Sequence, residues 1–417
     1  METKAVRLYG AEDMRFEAFE LPEMKENEIL MQVITDSLCA STYKAVMQGT
    51  KHKRVPPDIA ENPIIIGHEM CGQILKIGKD VKGDWKVGQK VVIQPALKLD
   101  SGYDPGYSYP YIGGSATYVI VPEIVLNRGC LLPYSGNSYF EGSLVESLAC
   151  IIRGYKGFYH TDYTNYVRTD GAKKGGRIAI LGGAGPMGIG AVEMAVGYAG
   201  CKQVVVTDLN QERLDYASSK CSPAEAAKKG VDLQYINTSG MENVKEELIK
   251  ISEGGFDDVF VMVPVPALYT MAEEIAKEDG CINFFAGPPV HNLQGSLNLY
   301  RVHYEGIHVV GTAGSIPLDM VDVIHLIEEQ KINAGALVSH ICGLKAVPGA
   351  IMEMGKANGA KKVCYTGLDL PLVALEDFEK LGAREPLYKK LDEIVKAHGG
   401  LWCTEAEEYL LANAPKI

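Results

Sequence analysis

The chain has 417 residues, of which 47% are apolar and 23% charged, and its formal net charge is −12. Because a single hydrophobic core stops growing at about 250–300 residues, the length predicts two domains. An acidic chain with no sustained basic stripe is a poor candidate for binding nucleic acid or an anionic membrane, so we expect neither partner.

The cysteine pattern and the first residues of the chain indicate the cellular compartment in which the protein is expected. The ten cysteines are scattered without a CxxC pair, which argues against a disulfide scaffold and favours a reducing environment. The chain does not open on a basic segment followed by an apolar one, so we expect no signal peptide. Glycines and Glu193 interrupt the apolar segment 178–200, which we interpret as strand and helix, not as a membrane span. These patterns predict a cytoplasmic protein.

The first part of the chain is predicted to be mainly β, because apolar and polar residues alternate in short runs. A short helix is expected over 42–47, and a loop rich in glycine, proline and tyrosine over 100–114. The predicted strands are 4–10, 14–20, 28–38, 73–78, 90–96 and 116–123.

Beyond a long helix predicted over 140–166, apolar strands alternate with amphipathic helices. This alternation is typical of a parallel sheet with crossover helices. The predicted strands are 177–182, 203–207, 257–263, 281–286 and 307–311, and the helices between them include 187–198, 211–218, 244–253 and 268–277. A helix over 318–330, a strand over 363–366 and helices over 377–397 and 404–412 are predicted to follow.

Together these elements predict an α/β protein with two domains and an appendage. A mainly β domain is expected from residues 1–153 and 316–367, and a doubly wound parallel sheet from residues 154–315. Residues 368–417 are predicted to form a helical C-terminal extension.

A glycine-rich segment, RIAILGGAGPMGIGAVEMAV, spans a predicted strand-to-helix junction. Gly183, Gly185 and Gly188 form a GxGxxG motif, in which the glycines serve a tight turn, close approach to pyrophosphate and close helix packing. The start of the helix, at Pro186 and Met187, would offer N–H groups and a positive dipole to phosphates. The motif predicts dinucleotide binding; the alternative is a glycine-rich turn that only packs.

Asp208 ends the next predicted strand, 20 residues after Gly188. This spacing is typical of a carboxylate that binds a ribose 2′-hydroxyl, and such a carboxylate would repel the 2′-phosphate of NADP. We therefore expect NAD, although Arg213 is near enough in the sequence to leave NADP open. The alternative for Asp208 is a residue of a surface turn.

Four residues of metal-binding type lie in the predicted β domain. Cys39 stands in DSLCAST, His68 and Glu69 in GHEMCG, and Glu146 in LVESLAC. Thiolate, imidazole and carboxylate groups bind Zn²⁺ in catalytic sites that leave one position open. In isolation, Cys39 is better explained as a small buried apolar residue and His68 as a hydrogen-bonded polar one.

Several motifs resemble those of the zinc-containing medium-chain dehydrogenase/reductase superfamily. GHEMCGQILKIGKDV is similar to its GHExxGxVxxxGxxV signature, and CAST to its Cys-x-Ser/Thr segment. VESLACIIRG resembles its EPLACxxRG segment, with Ser147 at the usual proline, and LGGAGPMG resembles its nucleotide loop. The similarity extends over residues 1–366. It implies a GroES-like catalytic domain, a Rossmann domain and an oxidoreductase that acts on alcohol groups.

The resemblance also implies roles for individual residues. It assigns one catalytic zinc to Cys39, His68 and Glu146, with Glu69 either a further ligand or beside the site and a candidate catalytic residue. Ser41 becomes the first proton-relay hydroxyl, unless it only caps a helix. The family's usual aspartate after this motif is Thr42 here. Residues 90–118 contain no cysteine, so we expect no structural zinc.

Three residues are candidate neighbours of the nicotinamide by the same resemblance. They are Val263, Gly287 and Thr312, and core packing explains them nearly as well. The metal in turn predicts the chemistry, because zinc lowers the pKa of a bound oxygen group and polarises a carbonyl.

The substrate is the least constrained expectation. Glu146 resembles the sorbitol and threonine dehydrogenase branch of the family, and the whole chain resembles L-sorbose 1-phosphate reductase-like members. This implies a polyol or ketose, and a sugar phosphate in particular. The candidate phosphate-binding residues are Lys44, Lys51, Lys53, Arg54 and Arg301.

Several alternatives stay open at this point. The basic segment is equally consistent with a solvated turn. The substrate alternatives are an unphosphorylated polyol or a threonine-type amino alcohol, and the non-enzymatic alternative is an inactive NAD-binding sensor. We expect a homo-oligomer, either a dimer or a tetramer.

Overall fold

The computed structural model describes residues 1–288, 290–355 and 359–417, which form two compact units. The first unit contains Met1–Ser147, Ser315–Glu328 and Val338–Ile417, and the second contains Leu148–Gly314 and Glu329–Leu337. The residues predicted as a C-terminal extension thus pack within the first unit, and 329–337 returns to the second, which no pattern in the sequence indicated.

The first unit is built on two sheets, whose strands alternate buried and partly exposed residues. In β3, for example, Ile29, Met31 and Val33 are buried while the residues between them are partly exposed. The strands are β1 (Glu2–Gly10), β2 (Asp13–Glu20), β3 (Ile29–Leu38), β4 (Ile64–Ile65), β5 (Met70–Ile77), β6 (Lys90–Ile93), β7 (Tyr118–Val121), β8 (Leu131–Pro133), β17 (Val338–Gly343), β18 (Lys361–Tyr365) and β19 (Val373–Ala374). One sheet has the order β2-β1-β4 and the other β19-β17-β18-β3-β5-β6-β8, with β7 also paired to β3.

The first unit also contains helices, which form most of the C-terminal segment. They are α1 (Ala40–Gln48), α2 (Glu123–Asn127), α3 (Tyr139–Gly157), whose residues from Leu148 onward belong to the second unit, α10 (Pro317–Glu328), α11 (Val347–Met352), α12 (Phe378–Gly382), α13 (Pro386–Ala397) and α14 (Thr404–Asn413). The Trp402 indole, buried between α13 and α14, donates a hydrogen bond to the Tyr365 hydroxyl of β18. The C-terminal helices are therefore fixed to the central sheet.

The second unit contains a six-stranded parallel sheet in the order β13-β12-β11-β14-β15-β16. Its central strands are buried along almost their whole length, as expected for strands covered on both faces. The strands are β11 (Arg177–Leu181), β12 (Gln203–Asp208), β13 (Asp232–Asn237), β14 (Phe256–Val261), β15 (Ala276–Phe284) and β16 (His308–Gly311). The helices are α4 (Pro186–Met194), α5 (Gln211–Lys220), α6 (Pro223–Lys228), α7 (Val244–Ile251), α8 (Pro266–Ile275) and α9 (Leu299–Tyr304). This strand order is that of a doubly wound fold, so the predicted fold class is confirmed.

Two helix predictions were wrong. The predicted helix over 140–166 ends at Gly157, and an antiparallel hairpin of β9 (Tyr159–Asp162) and β10 (Val167–Asp170) follows. The Asp162 carboxylate accepts hydrogen bonds from the Thr164 hydroxyl and the Asn165 side-chain amide, which stabilises the turn over continued helix. The predicted helix over 377–397 is interrupted between α12 and α13. Among the described residues, no helix combines the length and apolar character of a membrane span.

Candidate metal centre and nucleotide site

The candidate metal centre consists of Cys39, His68 and Glu69, whose ligand atoms lie within 4.8 Å of one another. The register of β3 against β5 explains this, since Asp36 of β3 is opposite Met70 of β5. The residue that follows β3 and the two that precede β5 therefore meet at one end of the sheet. Strand pairing thus brings together residues that helix α1 and strand β4 separate in the sequence.

His68 is oriented by two neighbouring side chains of helix α1. The Thr42 hydroxyl lies 3.1 Å from His68 Nδ1, and the Ser41 hydroxyl lies 3.3 Å from Nε2. A hydrogen bond at one ring nitrogen fixes the imidazole and leaves the other nitrogen for a metal. Thr42 thus orients His68, a role that the sequence did not reveal. Ser41 lies inside α1 and Cys39 occupies the N-cap position, so Ser41 is not the helix cap.

Glu69 forms a buried ion pair that the sequence analysis missed. Lys361 Nζ donates to both carboxylate oxygens of Glu69, at 2.6 and 2.7 Å, and the two side chains are only 5% and 1% exposed. Burial alone would raise the pKa of Glu69, but the Lys361 ammonium outweighs it and the pKa is lowered. Strand β18 pairs with β3 so that Lys362 is opposite Leu38, which brings Lys361 to the end of β3.

Burial and the charges around Cys39 determine how easily its thiol loses a proton. Burial raises the pKa of the Cys39 thiol to about 12, although Lys361 opposes the shift. Glu146 on α3 is half-buried, and its negative charge acts on both Cys39 and Lys361. Burial therefore disfavours the Cys39 thiolate, and a bound metal cation would stabilise it. The donor set of thiolate, imidazole and carboxylate fits Zn²⁺.

Tyr107, from the tyrosine-rich loop, also reaches this centre. Its hydroxyl donates to Ser41 Oγ at 2.7 Å and lies 3.2 Å from His68 Nε2. Burial raises the pKa of Tyr107 well above its usual range, so the hydroxyl keeps its proton. The sequence offered only the composition of the loop as a signal, and Tyr107 was not among the predicted site residues.

The basic residues predicted to bind phosphate lie in two places, four of them in or next to the segment around His52 and Arg301 on α9. Lys44, Lys53 and Arg54 form a cationic group, and together with burial their charges lower the pKa of His52. Lys51 is exposed at the end of a short turn beside them. The Arg301 guanidinium on α9 forms ion pairs with Glu273 at 3.0 Å and Glu305 at 2.6 Å and is 18% exposed, so carboxylates already balance its charge. Phosphate binding by Arg301 stays a prediction.

In the second unit the glycine loop joins β11 to α4, which begins at Pro186 with Met187 behind it. A side chain at Gly188 would place its Cβ 1.9 Å from the Gly183 carbonyl oxygen, so only glycine allows this close packing. The left-handed residue of the turn is Gly182, at φ 68°, whereas the sequence analysis gave the tight turn to Gly183. Gly185 has open space around its Cα, as close approach by a ligand requires.

Asp208 lies beside this loop at the end of β12. One carboxylate oxygen accepts from the Leu209 amide at 2.8 Å, and the other lies 3.4 Å from the Ala184 amide. Arg213 is in the first turn of α5, where the Asn210 side chain accepts from its backbone N–H. Strand pairing therefore places the carboxylate at the glycine loop, as its sequence spacing suggested.

The three candidate nicotinamide neighbours lie in different environments. Val263 follows β14 and faces Gly182, so it lies next to the glycine loop. Thr312 donates to Asn283 at 3.2 Å and also contacts Gly157. Gly287 is exposed in the segment after β15. Val263 is thus the candidate with direct contact to the loop.

Two family models match the chain. The model of the alcohol dehydrogenase GroES-like domain matches residues 25–128, and that of the zinc-binding dehydrogenase matches residues 186–329. The first match includes Cys39, His68 and Glu69, and the second begins at Pro186, the start of α4.

Two curated relatives are similar to this chain over nearly its whole length. The L-sorbose 1-phosphate reductase of Klebsiella pneumoniae is 42% identical over 418 residues, which is 100% of this chain and 98% of that protein. The mannitol-1-phosphate 5-dehydrogenase of Aliivibrio fischeri is 40% identical over 412 residues, covering 98% and 97%. The crystal structure of 2R,3R-butanediol dehydrogenase from Bacillus subtilis has a similar fold, with a TM-score of 0.71, 22% identity and coverage of 87% and 99%.

Proposed function

This chain belongs to the zinc-containing medium-chain dehydrogenase superfamily, whose members are oxidoreductases acting on alcohol groups, and we propose that it transfers a hydride between NAD(H) and a phosphorylated polyol or ketose. The observation that carries the proposal is the cationic group of Lys44, Lys53 and Arg54 at the same end of the first unit as Cys39, His68 and Tyr107. Such a group suits a phosphate that the acidic chain would otherwise repel.

We propose that Cys39, His68 and Glu146 hold one zinc ion per chain. Glu69 is less suited to direct ligation, because both its oxygens accept from Lys361. Moving Glu69 away would leave a buried ammonium unpaired, at a cost of about 3–5 kcal/mol. Glu69 instead contributes negative charge beside the ligands, which favours a divalent cation. This arrangement uses three protein ligands and leaves one position open.

The chemistry divides between the metal, the cofactor and the chain. Zinc, when bound, lowers the pKa of a substrate hydroxyl and polarises a carbonyl. Ser41, whose hydroxyl lies 3.1 Å from Cys39 Sγ, takes the proton that the substrate hydroxyl loses and passes its own proton on towards water, so it relays the proton and does not keep it. A bound nicotinamide would accept the hydride from the carbon that carries this hydroxyl, so the protein's task is to bind and orient the two partners.

We propose NAD as the preferred nucleotide. The Asp208 carboxylate at the glycine loop would accept a hydrogen bond from the ribose 2′-hydroxyl and repel a 2′-phosphate. The helix start at Pro186 and Met187 would face the pyrophosphate, with Gly185 allowing close approach.

The names of the relatives support a phosphorylated substrate. Two proteins at least 40% identical over nearly the whole chain are called a sorbose 1-phosphate reductase and a mannitol-1-phosphate dehydrogenase. A phosphate carries a charge of about −1.5 to −2 near pH 7 and bonds well to arginine. Arg54 is one-third exposed, so its guanidinium is accessible while Asp104 holds it in place at 3.0 Å.

The test is a turnover screen that follows nicotinamide absorbance, with NAD and NADP, over sugar phosphates, their unphosphorylated forms and amino alcohols. The expected result is NAD-dependent turnover that is highest with a sugar phosphate, and one zinc per chain by metal analysis. Cys39→Ser should lose zinc and turnover but still bind NADH, whereas the control Cys403→Ser should keep all three. Higher turnover of the free polyol throughout would refute the phosphate proposal.

A further inference from the structure

The hydroxyl of Tyr107 lies inside the candidate metal centre and has no assigned role. The side chain is 1% exposed, and its hydroxyl is 2.7 Å from Ser41 Oγ and 3.2 Å from His68 Nε2. Ser41 Oγ is itself 3.3 Å from that nitrogen. Two hydroxyl groups therefore converge on the ring nitrogen that we propose as a metal ligand.

The aromatic ring of Tyr107 is held by three side chains. Its centroid lies 4.8 Å from that of His68 and 5.9 Å from that of His52, which is stacked at 12°. The Arg54 guanidinium lies 4.9 Å from the ring centroid. The hydroxyl therefore has a fixed direction, which is what a preorganised hydrogen-bond donor requires.

The backbone of the loop is fixed as well. Asp104 forms an ion pair with Arg54 at 3.0 Å and accepts from the Leu97 amide at 3.0 Å. Ser108 donates to the Arg54 carbonyl at 2.6 Å, and its oxygen accepts from the Asp104 amide. Tyr107 is thus enclosed between two residues that are both bonded to their surroundings, and its position does not depend on a ligand.

We propose that Tyr107 is a catalytic residue, whose hydroxyl proton points to Ser41 Oγ in this structure and, when substrate lies beside Ser41, is donated to the reacting oxygen of the substrate. The inference rests on the proposed function and extends it. During ketose reduction the hydride of NADH forms the new C–H bond, the carbonyl π pair moves onto oxygen, and a proton relayed from water through Ser41 completes the alcohol. Tyr107 forms and breaks no covalent bond in this step, and its hydroxyl stabilises the charge that develops on that oxygen.

The test compares Tyr107→Phe with wild type, because phenylalanine keeps the ring and removes only the hydroxyl. The kcat/KM for ketose reduction should fall about 10²- to 10³-fold, as for the loss of one oxyanion donor. Zinc content and the Kd of NADH should be unchanged. Tyr111→Phe is the matched control, because Tyr111 is on the same loop but 39% exposed, and it should behave as wild type.

A second measurement does not depend on turnover. The polyol affinity of the complex with NADH, read from nicotinamide fluorescence, should fall roughly 2- to 12-fold in Tyr107→Phe, as for one neutral hydrogen bond. A double variant with Ser41→Ala should lose less activity than the product of the two single losses, because the two hydroxyls act on one oxygen.

Three results would overturn the assignment. The first is a Tyr107→Phe enzyme with kcat/KM and polyol affinity equal to those of wild type. The second is loss of zinc from Tyr107→Phe, which would make Tyr107 a structural support of the ligands. The third is a wild-type enzyme that turns over no polyol, ketose or sugar phosphate; in that case the proposed function fails first, and the role of Tyr107 fails with it.

Discussion

Removal of the Lys361 ammonium is the most direct test of the electrostatics of the metal centre. Lys361→Met leaves a side chain of similar length and removes the cation that contacts both oxygens of Glu69. Glu69 is 1% exposed, so water cannot replace the lost partner. Breaking one side of such a pair costs about 3–5 kcal/mol, and we expect the free energy of unfolding to fall by that amount near pH 8.

The loss of unfolding free energy in Lys361→Met should depend on pH, because the charge of Glu69 does. In the wild type the pKa of Glu69 is lowered, so the ion pair stabilises the fold at pH values above the ordinary carboxyl pKa. This stabilisation is lost as the pH falls through the lowered pKa. Without Lys361, burial raises the pKa, and the carboxyl destabilises the fold as pH rises through the ordinary value towards the raised one. The deficit of Lys361→Met should therefore grow from pH 5 to pH 8.

Urea denaturation followed by circular dichroism at both pH values, in chelator, measures this deficit. Lys362→Met is the control, because Lys362 is the next residue and also buried at 4%, and burial lowers its pKa. The stability deficit of Lys362→Met should be the same at pH 5 and pH 8. The double variant Lys361→Met with Glu69→Gln should recover much of the stability, since no charge is left unpaired. Equal deficits at pH 5 and pH 8 would refute the reasoning.

Three further predictions follow from the other parts of the chain. Asp208→Ser should raise kcat/KM with NADP relative to NAD by about tenfold or more; an unchanged ratio would show that Arg213 or another cation sets the preference. Arg54→Ala should lower kcat/KM for a sugar phosphate by roughly 10- to 150-fold and that for the free polyol far less, so equal losses would exclude a phosphate contact. Burial raises the pKa of Glu407 to about 7, so the carboxyl stabilises the fold less as pH rises. Relative to wild type, Glu407→Gln should gain up to ~3 kcal/mol between pH 5 and pH 8 in urea denaturation, and a pH-independent difference would contradict this.

Local sequence patterns were sufficient to predict the parallel sheet and the glycine loop of the second unit. The glycine loop, strands β11 and β12 and Asp208 belong to one strand–helix–strand unit, so a short stretch of sequence contains the pattern that positions them. The hairpin over 159–170 was missed because each of its strands has only four residues and β10 is fully exposed, so neither strand shows a clear pattern of apolar residues. The left-handed turn at Gly182 differs by one residue from the expected position, which is a detail of backbone geometry that the motif does not specify.

The metal centre was only partly predictable, because two of its partners come from distant positions. Lys361 is 292 residues from Glu69, and Tyr107 is 39 residues from His68. A lysine in an apolar run such as KKVCY is a signal, since a fully buried lysine requires an anionic partner, but the sequence does not identify that partner. Only the pairing of β18 with β3 does so.

The loop that carries Tyr107 shows how side-chain bonds can fix an active-site residue. At Gly106, φ is 77° and a Cβ would lie 2.0 Å from the Gly67 carbonyl oxygen, so the loop presses directly against the residue before His68. This close approach and the Arg54–Asp104 pair determine the position of the Tyr107 hydroxyl. A cationic residue proposed to bind the substrate phosphate is thus also a support of the residue proposed to bind the reacting oxygen. Phosphate binding at Arg54 would therefore compete with Asp104 and act on the ring of Tyr107, which links recognition of the substrate to the alignment of its reacting oxygen.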